Sequence, residues 1–146
     1  MGFCPTHALF QPEDVQILKM QYPEAVVMVH PECNAETRNT ADFIGSTSQM
    51  GRYAKDSEAK TFIVATEEGI LHRLTKDNPG KRFILAHENA ICPNMKLNTL
   101  EKIYLALKEE KHAIAVPEPI AKKAMEALES MFELALRPRL NAHGES

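Results

Sequence analysis

The chain has 146 residues, the size of one domain with an appendage, and a domain of that size buries about two-thirds of its unfolded surface. With 25% charged residues, 44% hydrophobic residues and a net charge of −3, it reads as an ordinary globular chain, which argues against a general nucleic-acid or anionic-membrane binder. No apolar run approaches the ~20 residues of a membrane span, and Met1-Gly2-Phe3-Cys4-Pro5 lacks the basic and apolar regions of a signal peptide. The chain is therefore read as cytoplasmic, with three cysteines reduced and serving metal or catalysis rather than disulfides.

Along the chain, Pro12-Glu13-Asp14 has the proline and acids of a helix start, and Val15, Leu18 and Tyr22 recur at helical spacing until Pro23. Residues 25–29 read as a fully buried strand and 34–42 as a short polar helix. Phe43-Ile44 is a brief strand closed by Gly45. Ser46 or Thr47 caps a helix that runs to about Lys55. Residues 61–65 form a third buried strand. A helix over 67–77 turns Ile70, Leu71 and Leu74 inward and stops at Asn78-Pro79-Gly80, and a fourth strand covers 82–86. Continuous apolar strands alternating with helices predict a parallel sheet covered on both faces. Beyond Cys92-Pro93-Asn94-Met95-Lys96 the texture changes. Asn98 is read as the cap of a helix with Leu100, Ile103, Tyr104 and Leu107 on one face. Residues 112–116 are read as a short extra strand. Pro117 opens a last helix with Ala121, Met125, Leu128, Phe132 and Ala135 at 4-3-4-3 spacing, and 137–146 form a polar, frayed tail.

Each strand ends in a polar cluster, and a parallel sheet gathers all those ends on the edge where open α/β sheets bind ligands. The first exit carries His30-Pro31-Glu32-Cys33. His30 titrates near neutrality and suits general acid–base work, and Glu32 can accept a proton or orient a water. Pro31 fixes part of the bend that would point both into one pocket; ordinary solvated groups at a strand exit are the alternative. Gly45-Ser46-Thr47-Ser48 offers hydroxyls and N–H groups for a carboxylate or phosphate, and plain helix capping is the competing reading. Glu67 and Glu68 read as first-turn dipole partners rather than catalytic groups. Cys4 and Cys92 each precede a proline in a loop, as ligands would, whereas Cys33 is equally well a small buried hydrophobe. No pair has the spacing of a zinc ribbon, but dispersed loop cysteines can hold an iron–sulfur cluster.

Five motifs in order, at matching separations, make the chain resemble the C-terminal half of the iron–sulfur quinolinate synthases of NAD biosynthesis. They are Gly2-Phe3-Cys4-Pro5-Thr6-His7, His30-Pro31-Glu32-Cys33, Ala41-Asp42-Phe43-Ile44-Gly45-Ser46-Thr47-Ser48, Ala65-Thr66-Glu67-Glu68-Gly69 and Cys92-Pro93-Asn94-Met95-Lys96. The resemblance runs from Gly2 to about Leu134. It implies three similar α/β domains around a pseudo-threefold axis, with a [4Fe–4S] cluster held on the axis by one cysteine from each. One iron is left as a Lewis acid. The implied reaction condenses iminoaspartate (iminosuccinate) with dihydroxyacetone phosphate to quinolinate, phosphate and water. Within this chain it implies a three-layer αβα sandwich with a short four-stranded parallel sheet over residues 8–92, the third of the three domains. Residues 93–146 would be a C-terminal strand and helical segment completing the first domain.

By the same resemblance, Cys4 and Cys92 are cluster ligands and Cys33 is not. His30, Pro31 and Glu32 are a substrate-binding stretch, with Glu32 near the open iron and engaged in proton transfer. Thr47 contacts a substrate carboxylate, Ser46 lies beside it, and His7 lies next to the cluster-bearing loop. A full-length member has two further domains ahead of this point, which supply the third cluster cysteine and most of the pocket. The chain is thus expected to be a truncated product, a fragment or one half of a split enzyme whose N-terminal half is another chain, inactive when isolated. A non-catalytic remnant or a dicarboxylate-binding module is the alternative. If Met125, Leu128 and Phe132 are not packed, their exposure favours self-association.

Overall fold

A computed structural model describes residues 4–136; the expected frayed tail and Gly2-Phe3 lie outside them. The chain divides into two compact units, Met1–Asn98 and Thr99–Ser146. In the first, the apolar runs become β1 (Val26–Val29), β2 (Phe43–Ile44), β3 (Thr61–Ala65) and β4 (Arg82–Leu85). All pair in parallel, in the order β2-β1-β3-β4. The central pair runs in register from Val26 opposite Phe62 to Val29 opposite Ala65.

Alternation along these two strands explains why they read as unbroken apolar runs: each face of the sheet has its own core. Val27, Val29, Ile63 and Ala65 face a cluster with Phe10, Cys33 and Val15, joined by Leu18 of α1 (Pro12–Gln21) and by Tyr22 just beyond its end. Met28, Phe62 and Val64 face the opposite cluster. It contains Met50, Ala54 and Tyr53 of α3 (Thr47–Asp56) and Leu74, Ile70 and Leu71 of α4 (Ile70–Asp77). The α/β three-layer sandwich expected from the sequence is the observed architecture.

Capping chemistry sets the helix starts. Asp14 accepts the Gln11 N–H at 2.9 Å ahead of α1, which opens on Pro12. Asn34 Oδ1 accepts the Thr37 N–H at 2.7 Å, starting α2 (Ala35–Arg38). Ser46, not Thr47, caps α3: its hydroxyl accepts from Gln49 N at 3.4 Å, and Gln49 Oε1 accepts the Ser46 N–H at 2.7 Å. A Cβ on Gly45 would lie 2.7 Å from Cε1 of Phe43, so the turn from β2 into α3 admits nothing larger.

The carbonyl of Phe10 accepts from both Asn34 Nδ2 and Thr37 Oγ1, each at 2.8 Å. With its fully buried ring, this fastens the segment carrying Cys4 and the 3-10 turn His7–Leu9 to the sandwich.

Four expectations are corrected. The helix expected over 34–42 is only the four residues of α2. The helix expected from Glu67 begins at Ile70, because the Glu67 side chain folds back to accept the Gly69 N–H at 2.7 Å. In the second unit, Thr99 rather than Asn98 caps α6 (Leu100–Lys108), its hydroxyl accepting from Lys102 N at 3.2 Å. Residues 112–116 form no strand. Glu110 and His112 adopt φ of 50° and 64°, left-handed values that break an extended run at its start, and a strand without a partner leaves its backbone unpaired. Of the remaining helices, α5 (Pro93–Lys96) lies in the first unit and α7 (Glu118–Leu136) in the second, where Met125, Leu128 and Phe132 are all exposed. None of the described helices is long and apolar enough to cross a membrane.

Candidate functional site

From β1 the chain moves outward to β2, then crosses back past β1 to β3. The strand order therefore reverses between β1 and β3, and in such sheets the crevice beyond that point is the place for a ligand. The residues at its mouth are His30 and Thr66. The backbone here continues the ladder, His30 N donating to Ala65 O at 3.0 Å.

Two histidines stack over this crevice. The rings of His7 and His30 lie 4.3 Å apart at 15°. His7 Nε2 and Thr66 Oγ1 share a buried hydrogen bond of 2.9 Å across 59 residues of chain. Glu32 lies over the pair, its Oε2 3.2 Å from His7 Nδ1 and 3.5 Å from His30 Nδ1. The His30 Nδ1 accepts the Glu32 backbone N–H at 3.3 Å, so this nitrogen carries a lone pair rather than a proton. Among the described residues, buried His7 Nδ1 has no hydrogen-bond partner, since Glu32 is near it but outside hydrogen-bond geometry. Both imidazoles are held below the usual histidine pKa. Burial is the main cause in each, with His30 also lowering His7, against the opposing pull of Glu32. Burial thus favours the neutral form of both rings.

Cys4 belongs to this group: its sulfur, a His7 ring nitrogen and a Glu32 oxygen all lie within 4.8 Å of one another. Cys33 does not. Its thiol is buried and donates to Ala65 O at 3.5 Å, and burial pushes its pKa up to about 11. Thr47 is exposed at the first turn of α3, and Ser46 is engaged as its cap.

Cys92 is positioned by a residue that sequence reading treated as a helix-dipole partner. Buried Glu67 accepts from Gly69 N at 2.7 Å and Cys92 N at 3.3 Å, and pairs with Lys96 Nζ at 3.0 Å. Lys96 also reaches Glu68 at 3.1 Å. Burial alone would raise the Glu67 pKa, but these donors overcome it and hold the carboxyl below its ordinary value. Thr66, as the anchor of His7, was likewise not singled out. Its sequence signals were its place at a strand exit and its membership of the Ala65-Thr66-Glu67-Glu68-Gly69 motif.

The Glu67 arrangement carries a testable consequence. Replacing Glu67 by Gln is expected to cost about 1.5–3 kcal/mol at pH 7, the worth of hydrogen bonds to a charged group. A carboxyl with a depressed folded pKa contributes its full stability above the unfolded value of 4.5 and loses it as pH falls through the folded value. The gap between wild type and Glu67→Gln in urea titrations should thus shrink on acidification below 4.5. A gap independent of pH would show the charge to be irrelevant.

Comparison with known proteins adds to this geometry. The family described as "Quinolinate synthetase A protein" matches residues 1–133. The quinolinate synthase of Thermodesulfovibrio yellowstonii is 49% identical over 133 residues, covering 91% of this chain and 44% of that protein. That of Alkaliphilus metalliredigens is 47% identical with the same coverage, and that of Methanosarcina barkeri 43% identical over 136 residues. The chain spans less than half the length of these curated relatives. A match over nearly the whole chain shows that it belongs to the quinolinate synthetase A protein family.

Proposed function

We propose that this chain supplies one wall of a quinolinate synthase active site. The observation that carries the reading is the convergence of Cys4, His7, His30 and Glu32 at the sheet's switch point in a family member. The substrates are iminoaspartate and dihydroxyacetone phosphate, and the products quinolinate, phosphate and water. In this reading residues 8–92 are one of three similar domains, residues 93–146 complete another, and the rest of the pocket comes from the part of a full-length relative that these residues do not cover.

The donor chemistry fits part of a [4Fe–4S] ligand set. Cys4 and Cys92 are free, partly accessible thiols and would hold two positions, while Cys33 is withheld by burial and the third cysteine comes from elsewhere. Such a cluster would supply a Lewis-acidic iron that polarises a substrate oxygen. The chain's own residues do the rest. Glu32 moves protons at the substrate, its carboxylate more than half exposed toward the open side. His30, neutral and oriented by the Glu32 N–H, binds beside it, with Pro31 fixing the turn. Thr47 and Ser46, at the N-terminus of the ten-residue α3, bind a substrate carboxylate.

The test is complementation. The isolated chain, reconstituted anaerobically with iron and sulfide, is expected to make no quinolinate. Co-expression with the portion of the Thermodesulfovibrio protein that this chain does not cover should restore it, read by chromatography of the product. Turnover by the chain alone, or failure of a soluble assembled pair to turn over, would refute the reading.

A further inference from the structure

A groove on the flank of the sandwich lies away from the switch point. It runs between α3 and α4 and encloses about 470 Å³, within the ~300–1,000 Å³ usual for small-molecule sites. Because α3 leads from β2 into β3 and α4 from β3 into β4, all parallel, the two helices run side by side in the same direction. The groove follows them from the first turn of α3 to the last turn of α4.

Its floor holds a glycine that the fold does not require. Gly51 stands in the middle of α3 with ordinary helical backbone, where every residue except proline would favour the helix more. A glycine earns such a position when a neighbouring element presses against the helix, yet a Cβ on Gly51 would meet nothing within 4 Å. The space left open is the groove itself, and a helix surface without a Cβ lets a ligand lie close against the backbone.

The walls define the chemistry of that ligand. Arg52 and Lys55 of α3 and Arg73 of α4 bring three cations to the groove against one acid, Asp77. Asp77 accepts from Arg73 Nε at 3.3 Å, so the two terminal guanidinium nitrogens remain available as a fork for phosphate oxygens. Among the described residues, neither Arg52 nor Lys55 has a carboxylate partner. Ile70 and buried Leu74 add an apolar side. A molecule with two or more negative charges on an organic body satisfies both surfaces. We propose that this groove binds a nucleoside diphosphate, with Arg52, Lys55 and Arg73 on the phosphates and the organic body against Gly51, Ile70 and Leu74. The site goes beyond quinolinate synthesis and does not depend on it. It uses no cysteine and no part of the His30–Glu32 stretch, and Thr47 at its end is not among its ligands.

The probe is ADP, titrated into the full chain by calorimetry at fixed ionic strength. Wild type should bind one equivalent. Arg52→Gln and Lys55→Gln should each weaken binding about tenfold or more, the worth of a hydrogen bond to a charged group. Lys76→Gln removes the same charge from α4 but outside the groove, and should bind as wild type does. Gly51→Ala separates binding from stability: it should raise the urea midpoint, because alanine is the better helix former, while weakening ADP binding about tenfold or more. No binding by wild type, equal losses in Lys76→Gln and Arg52→Gln, or undiminished affinity in Gly51→Ala would each overturn the site. Loss of ADP binding on assembly with the portion of a full-length relative that this chain does not cover would make the groove an interface, and would overturn it as well.

Discussion

Replacing Glu32 by Gln is expected to lower quinolinate formation by the complemented enzyme about 10²–10⁴-fold, the usual worth of a positioned acid–base group. The substitution keeps the shape and removes only the capacity to carry a proton. Its side chain is 56% exposed and its carboxylate makes no hydrogen bond that holds the fold, since the bond to His30 comes from the Glu32 backbone. Stability should therefore change by no more than about 0.5 kcal/mol, as at other surface positions. The loss should fall on kcat rather than KM, because the proton moves in the transition state. Rates measured at saturating substrate, alongside urea midpoints, separate the two. A Glu32→Gln enzyme within a fewfold of wild type would remove Glu32 from the chemistry.

The second large effect is on the fold. Phe62→Ala should destabilise the chain by about 3–5 kcal/mol, the range for truncating a buried aromatic. Phe62 has no exposed surface, lies on the interior strand β3 and stacks on Phe83 with ring centres 5.2 Å apart. Its neighbours Met28, Val64 and Leu74 are themselves buried, which limits how far they can move to fill its volume. Against the 5–15 kcal/mol typical of a whole domain, that loss is severe. Phe83→Ala, at a half-buried position on edge strand β4, should cost less. Urea midpoints for the two variants decide the matter, and equal shifts would mean that the β3 core is not the keystone of the sheet.

Much of this was legible in the sequence because parallel strands buried on both faces leave a mark that local reading detects. The runs over 25–29 and 61–65 could hardly be anything else. The helix from Pro12 and the pause at Asn78-Pro79-Gly80 were equally plain. What local reading could not reach were partnerships set by the fold. Glu67 looked like a dipole partner because Cys92 lies 25 residues away. Thr66 looked ordinary because His7 lies 59 away. The run over 112–116 misled because β-branched, apolar composition argues for a strand without supplying a neighbour to pair with. Cys33 was ambiguous until its thiol was seen turned into the core. The displaced cap at Thr99 is a one-residue error of the kind helix ends commonly produce.

The fastening at Phe10 gives the site a vulnerability separate from that of the sheet. Cys4 and His7 precede α1 and belong to no strand ladder. One carbonyl, two polar side chains, one buried ring and the bond to Thr66 hold them in place. Releasing those few contacts costs far less than opening β1 from β3, and such low-energy openings are the ones that dominate native-state fluctuation. A molecule can thus keep its sandwich and its helical signal while its thiol and imidazole have swung away from Glu32. Secondary structure and site integrity are separate properties of this protein, and a preparation that passes as folded has still to be shown to hold its donors together.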